Sequence, residues 1–218
     1  MDKSKVIFGN KMSRATYKKA VRGKKGYVKK FGDDSNVDYE LMIRDNKHIG
    51  DILGVKDIVV ARPGKNKGVQ TGKPGVMSGV IYYGKGTKLG EVKENTTEGI
   101  YGTVNQHFLD SIKTDAIPVG FRQDTHKGTA YIRSNVSGEV KDYEIEIQKV
   151  DYGSIQKNKG LVLRVVDEEL LNLTSGIVQG MSGSPIIQDG KLIGAVTHVF
   201  INDPTRGYGI FAENMISH

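Results

Sequence analysis

The chain contains no cysteine and no tryptophan, and only five histidines and five prolines in 218 residues. Without thiols it holds no disulfide framework, no cysteine-based zinc site and no thiol nucleophile. The histidines show no metal-ligand spacing, so no metal is expected. No cofactor is expected either, because "GKGTKLG" (84–90) lacks the Gly-Lys-Ser/Thr ending of a phosphate loop. Long apolar runs are also missing. The strongest, "IGAVTHVFI" (193–201), is far shorter than the roughly 20 residues of a spanning helix, and the N-terminus lacks the apolar core of an export signal. The sequence thus reads as soluble and without an export address.

Positive charge is plentiful, but it is unevenly placed. The net charge is +7, and eleven of the Lys and Arg side chains lie in residues 1–30, where Asp2 is the only acid. The other 188 residues hold 21 basic and 24 acidic side chains, so the isoelectric point near 9.3 describes a basic arm on a mildly acidic domain. Two units are therefore expected, an arm over 1–30 and a domain over 31–218. Such an arm either contacts nucleic acid or an anionic membrane by counterion release, or is simply solvated. Within it, "MSRATYKKAV" (12–21) reads as a short helix with Ser13 as its N-cap.

Beyond the arm, short β-branched and aromatic runs recur between turn formers: "DIVVA" (57–61), "GVIYY" (79–83), "GIYGTV" (99–104), "IPVGF" (117–121), "TAYIRS" (129–134), "YEIEIQKV" (143–150), "LVLRVV" (161–166), "PIIQ" (185–188), "LIGAVTHVF" (192–200) and "GYGIF" (207–211). Ten candidate strands with glycine-rich turns predict an antiparallel sandwich or barrel. In "YEIEIQKV" Tyr143, Ile145 and Ile147 alternate with polar residues, the pattern of a strand wet on one face. "DEELLNL" (167–173) reads as a helical turn, and "RPGKNKGVQTGKPG" (62–75) as a loop.

One serine stands out. In "GMSGSP" (180–185) Ser182 lies between Gly180 and Gly183, just before a proline that starts a strand, and Asp189-Gly190 then supplies a tight turn into the next apolar run. A serine hydroxyl becomes a useful nucleophile only when a base takes its proton and backbone amides stabilise the oxyanion. Gly180 permits the backbone path that would aim its own N–H and that of Ser182 into one pocket, and Gly183 leaves room for a substrate chain. The order Gly-x-Ser-Gly-x-Pro, strand, tight turn, strand is similar to that around the nucleophile of chymotrypsin-like serine peptidases.

"GIVQGMSGSPIIQDGKLIGAVTHVF" (176–200) followed by "INDPTRGYGIF" (201–211), with "ENTTEGIYGTV" (94–104) and "KGLVLRVVDEELL" (159–171), resembles the peptidase domain of the stage IV sporulation protein B family, most strongly over 95–215. The resemblance implies an all-β, chymotrypsin-like antiparallel double barrel and a serine endopeptidase that performs limited proteolysis of a protein partner in sporulation signalling. It also implies self-cleavage and a location between the membranes around the forming spore. Carried over by motif, Ser182 is the nucleophile, Asp167 the carboxylate that orients the histidine, and the N–H groups of Gly180 and Ser182 the oxyanion hole. His198 and Gly183 fall where the fold lines its substrate groove. On spacing alone, Asp167 also reads as a helix N-cap.

The family's histidine block, of the type "FGALGH", is not reproduced. Upstream of "GKPGV" (72–76), the counterpart of the family's "GxPGE" loop, the one histidine is His48, while "IFGNKM" (7–12) is closer to the block and carries Asn10 in the histidine's place. Either His48 is the base and the chain is a peptidase, or Asn10 marks a degenerate member that keeps the fold as a protein-binding module. The family's membrane anchor and PDZ domain have no counterpart in the sequence, so a truncated or divergent member is expected. His107 reads as a loop residue, His126 as an exposed turn, and His218 is terminal.

Overall fold

The computed structural model describes residues 88–111 and 115–217 with their side chains and, ahead of them, the backbone of eight strands between Asn10 and Val80. In the N-terminal half, β1 (Asn10–Ser13), β3 (Asp38–Ile43), β4 (Asp51–Val55), β9 (Lys88–Asn95) and β10 (Ile100–Val104) make a five-stranded sheet in that order. A three-stranded sheet pairs β2 (Tyr27–Lys29), β5 (Asp57–Ala61) and β8 (Val76–Val80), and β6 (Lys65–Asn66) pairs with β7 (Val69–Gln70). Residues 1–30 thus supply a strand to each of the two larger sheets. Ser13 closes β1, and the helix expected after it lies outside the described residues.

In the C-terminal half, β11 (Gly128–Ser134), β12 (Lys141–Val150), β13 (Leu161–Val165), β14 (Pro185–Gln188), β15 (Lys191–Val199) and β16 (Arg206–Phe211) form a closed barrel in the order β11-β12-β13-β16-β15-β14. The architecture is all-β, a closed antiparallel barrel beside a second set of sheets, as in a chymotrypsin-like double barrel. One strand pair departs from the antiparallel expectation, since β1 and β3 run parallel.

The barrel closes because its strands alternate. Tyr143, Ile145 and Ile147 of β12 are buried, while Glu144 and Glu146 face water. Leu161, Leu163 and Val165 repeat the pattern on β13, and both sets meet Ala130, Ile132, Ile186, Val196 and Phe211 in one core. Period-two burial of this kind fixes register, because a slip of one residue would turn every apolar side chain outward. Leu161 sits where two neighbouring strands have no side chain: a Cβ added at Gly194 of β15 would lie 3.4 Å from its Cδ1, and one at Gly209 of β16 would lie 3.4 Å from its Cβ.

The seam between β11 and β14 is short, with two residue pairs, Tyr131 opposite Ile187 and Ile132 opposite Ile186. Beyond them a side chain continues the ladder. The buried Gln188 amide donates to the carbonyls of His126 (3.0 Å) and Thr129 (3.2 Å) and accepts from the His126 N–H (3.1 Å).

Several segments differ from expectation: β1 to β4 precede the first expected strand, and the loop expected over 62–75 holds the short β6–β7 pair. "IPVGF" forms no strand: Val119 makes a single parallel bridge to Leu192, with Leu192 N–H donating to Pro118 O and Gly120 N–H to Leu192 O. Proline lacks the N–H that a ladder needs at that point. Conversely, "KLGEVKEN" carries just two large apolar residues yet forms β9. Leu89 and Val92 point inward from it, onto Phe108 of helix α1 (Gln106–Ser111).

Candidate active site

Ser182 occupies the turn between the segment 176–181 and β14. Gly180 and Gly183 on either side have φ of +109° and +93°, a region that side chains with a Cβ rarely adopt. Met181, fully buried, anchors the turn from below. Backbone bonds then zip the turn to β15: Gly183 N–H donates to Val196 O at 2.7 Å and Val196 N–H to Ser184 O at 2.9 Å. The half-buried Ser182 is thereby pressed against the strand that follows the hairpin, and its Oγ donates to Thr197 O at 2.8 Å. No described residue accepts a hydrogen bond from the backbone N–H of Gly180 or Ser182.

Thr197 is a neighbour that motif reading passes over. Counting outward from the turn pair Gln188–Lys191 brings Thr197 opposite Ser182 or Gly183, so the hairpin itself carries the signal. The structure adds a bulge at Ile193. The Thr197 hydroxyl in turn donates to Asn158 O at 2.7 Å, coupling the serine strand to the loop between β12 and β13.

That loop forms one wall of a cleft of about 410 Å³. It is pinned at its base by Asp151 N–H donating to Gly160 O at 2.8 Å. The opposite wall is the β9–β10 turn, where Thr96 Oγ1 accepts from the N–H groups of Glu98 and Gly99 at 3.2 and 3.3 Å. His198 and Asn158 also line the cleft. Ser182 and Gly183 are both absent from the lining, and the Gly183 N–H is committed to β15. Across the cleft, Lys157 Nζ approaches Glu98 at 3.8 Å, and the Thr97 hydroxyl foremost holds the Glu98 carboxyl below the usual range.

Asp167 sits at the start of helix α2 (Glu168–Thr174) as its N-cap. Its Oδ1 accepts from Leu170 N–H at 2.8 Å and its Oδ2 from Glu144 N–H at 3.3 Å. A carboxylate offers about four lone-pair sites, and Asp167 uses one for the cap and one for the Glu144 N–H of β12. No bond joins Asp167 to Ser182. A link between them would run through an imidazole, and His48 lies outside the described residues, as does the side chain of Asn10.

Of the other histidines, His107 is exposed on α1 and His126 is exposed beside the barrel seam. His126 Nδ1 meets Lys127 O and Nε2 meets Asp189 Oδ2, each at 2.9 Å. The Lys127 carbonyl first, then Asp189, raise its pKa above the ordinary value. A raised folded-state pKa favours the fold fully at pH below the unfolded value, near 6.5, and the contribution is lost as pH rises through the folded value. Asp189→Asn keeps a residue type that tolerates the positive φ of +50° at that turn. It is expected to lower the His126 midpoint followed by NMR titration, and an unchanged midpoint would contradict this pairing.

A family model described as SpoIVB peptidase S55 matches residues 54–216. A second, described as a domain of unknown function, matches residues 6–87. No curated protein and no solved structure matches the chain. The first match begins some forty residues before the region where the resemblance in sequence is strongest. Both His48 and Asn10 precede that match and fall within the second.

Proposed function

Because the chain belongs to the SpoIVB peptidase family, whose members are serine peptidases, we propose that it is an endopeptidase that cleaves a protein partner, and its own chain, through Ser182. The observation that carries this reading is the Ser182 turn: two glycines at positive φ, backbone N–H groups at 180 and 182 with no acceptor among the described residues, and a hydroxyl bonded to Thr197, whose own hydroxyl reaches Asn158 in the lining of the cleft.

In this mechanism a histidine, His48, takes the Ser182 proton as Oγ attacks the scissile carbonyl, and Asp167 orients the imidazole and stabilises its cation. The N–H groups of Gly180 and Ser182 hold the tetrahedral oxyanion, and the protonated base then gives its proton to the leaving amine. The Ser182 hydroxyl must first turn from Thr197 O towards the base. Its single hydrogen bond makes that rotation inexpensive, about 1 kcal/mol. The family further suggests that the work is done around the forming spore. Among the described residues no helix is long and apolar enough to cross a membrane.

A second reading, a degenerate member that binds protein without cutting it, is favoured by one observation: both candidates for the base position lie ahead of the peptidase match. A fluorophosphonate reagent, which labels serines activated by a base, separates the two. Labelling of the full chain that is lost in Ser182→Ala and in His48→Ala supports the peptidase with His48 as base. Labelling that survives His48→Ala removes His48 from the mechanism, and none on the unmutated chain favours the degenerate module.

A further inference from the structure

The cleft that Thr197 links to Ser182 through Asn158 is lined by two lysines, and they are not equivalent. Lys157 is directed at Glu98, whose carboxylate stays ionised because the Thr97 hydroxyl bonds it. Lys159 lies one step along the same short 3-10 turn, Lys157–Lys159, which is closed by Lys159 N–H donating to Gln156 O at 2.8 Å. Its ammonium sits 5.2 Å from the centroid of the Tyr208 ring and makes no ion pair with a described carboxylate. Its stem is therefore held by packing while its charge is left over. Tyr208 faces His198 across the β15–β16 ladder, which places the ammonium on the His198 side of the cleft. At the rim, Ile155 is 99% exposed, a full apolar side chain with no intramolecular contact to justify it.

A held cation with no carboxylate partner among the described residues, in the same cleft lining as an unburied isoleucine, describes a partner segment of complementary chemistry. We infer that Lys159 is a specificity-determining residue: it pairs with an acidic side chain of the protein segment lying across the cleft, and Ile155 covers an apolar neighbour of that acid. The inference rests on the cleft being the substrate groove of the proposed peptidase, and it names the class of substrate. Glu98 sharpens the choice, because it already occupies Lys157 and repels an acid from the far wall, which leaves the Lys159 side as the place where an anion gains. Cation–aromatic packing keeps the lysine stem in place at modest cost, and a substrate carboxylate can be added without displacing the ring.

Binding can be read separately from cutting. The full chain carrying Ser182→Ala is titrated, by fluorescence anisotropy, with dye-labelled peptides from a pooled library in which one position is fixed as Glu or as its uncharged isostere Gln. A tighter Kd for the Glu pool, about fivefold and shrinking as salt is raised, is expected. Adding Lys159→Ala should bring the two pools to the same Kd, and Lys159→Glu should reverse the order. Lys157→Ala should keep the preference, which distinguishes a particular lysine from general positive charge. Equal binding of the pools by the Ser182→Ala chain, or a preference untouched by Lys159→Ala, overturns the inference. Because no cleavage is measured, a chain that proves unable to cut leaves this test intact, and a failed preference leaves the serine mechanism standing.

Discussion

Ser182→Ala is expected to lower cleavage of a protein substrate, and of the chain itself, by about four orders of magnitude or more, the scale of losing the nucleophile from a serine triad. The fold should notice little. The hydroxyl makes one hydrogen bond, to Thr197 O, and losing it costs about 1 kcal/mol, or about 2–4 °C in melting temperature for a chain of this size. The turn persists because its backbone bonds to Met181 and Val196 come from Ser184 and Gly183 and do not involve the hydroxyl. The measurement is single-turnover cleavage of labelled casein beside a thermal melt. Activity that survives the substitution would reject Ser182 as the nucleophile, and a collapse of the melt would mean that the hydroxyl was holding the turn.

Leu161→Ala is expected to remove about 4 kcal/mol of stability, near the upper part of the range for truncating a buried leucine. Cost at such a site depends on how far the surroundings relax into the space left behind. Here the leucine is fully buried, and the space beside it is bounded by Gly194 and Gly209, which have no side chains to swing inward. The backbones of β15 and β16 cannot close on the gap without breaking a ladder that pairs Gly194 with Phe211 and Val196 with Gly209. Urea unfolding should show a lower midpoint with an unchanged slope. A loss below about 1 kcal/mol would show that the barrel collapses easily and that the glycines are not acting as a rigid wall.

The serine turn and the barrel were legible in the sequence for the same physical reason: each rests on short-range pattern. Alternation in residues 143–147 announces one wet face and one dry, and glycines on both sides of Ser182 announce a sharp backbone path. Asp189-Gly190 fixes the hairpin and so, by counting, the strand against which the serine lies. What escaped the reading depends on partners distant in sequence. β9 is apolar at just Leu89 and Val92 on its buried face, and it becomes a strand because β4 and β10 flank it. The cleft walls come from residues 96–99 and 151–160, which have no common motif and meet through tertiary structure alone. Asp167 shows the opposite limit. Its sequence fits both a helix cap and a triad carboxylate, and the structure places it as a cap while leaving lone pairs for the other role.

The short seam between β11 and β14 has a consequence for the chain outside the cell's favourable conditions. A closed barrel offers no strand edge to another molecule, and an open sheet of the same strands offers two. This barrel stays shut through two backbone pairs and one glutamine side chain, so its resistance to intermolecular strand pairing hangs on residue 188 more than on the size of its core. When that amide lets go, the newly bared edges belong to β11, with its exposed Tyr131, and to β14, the strand that carries Ser182 at its head. Loss of a shaped site and gain of a sticky edge would then be one event, and the concentration at which the protein is kept would set how often that event becomes permanent.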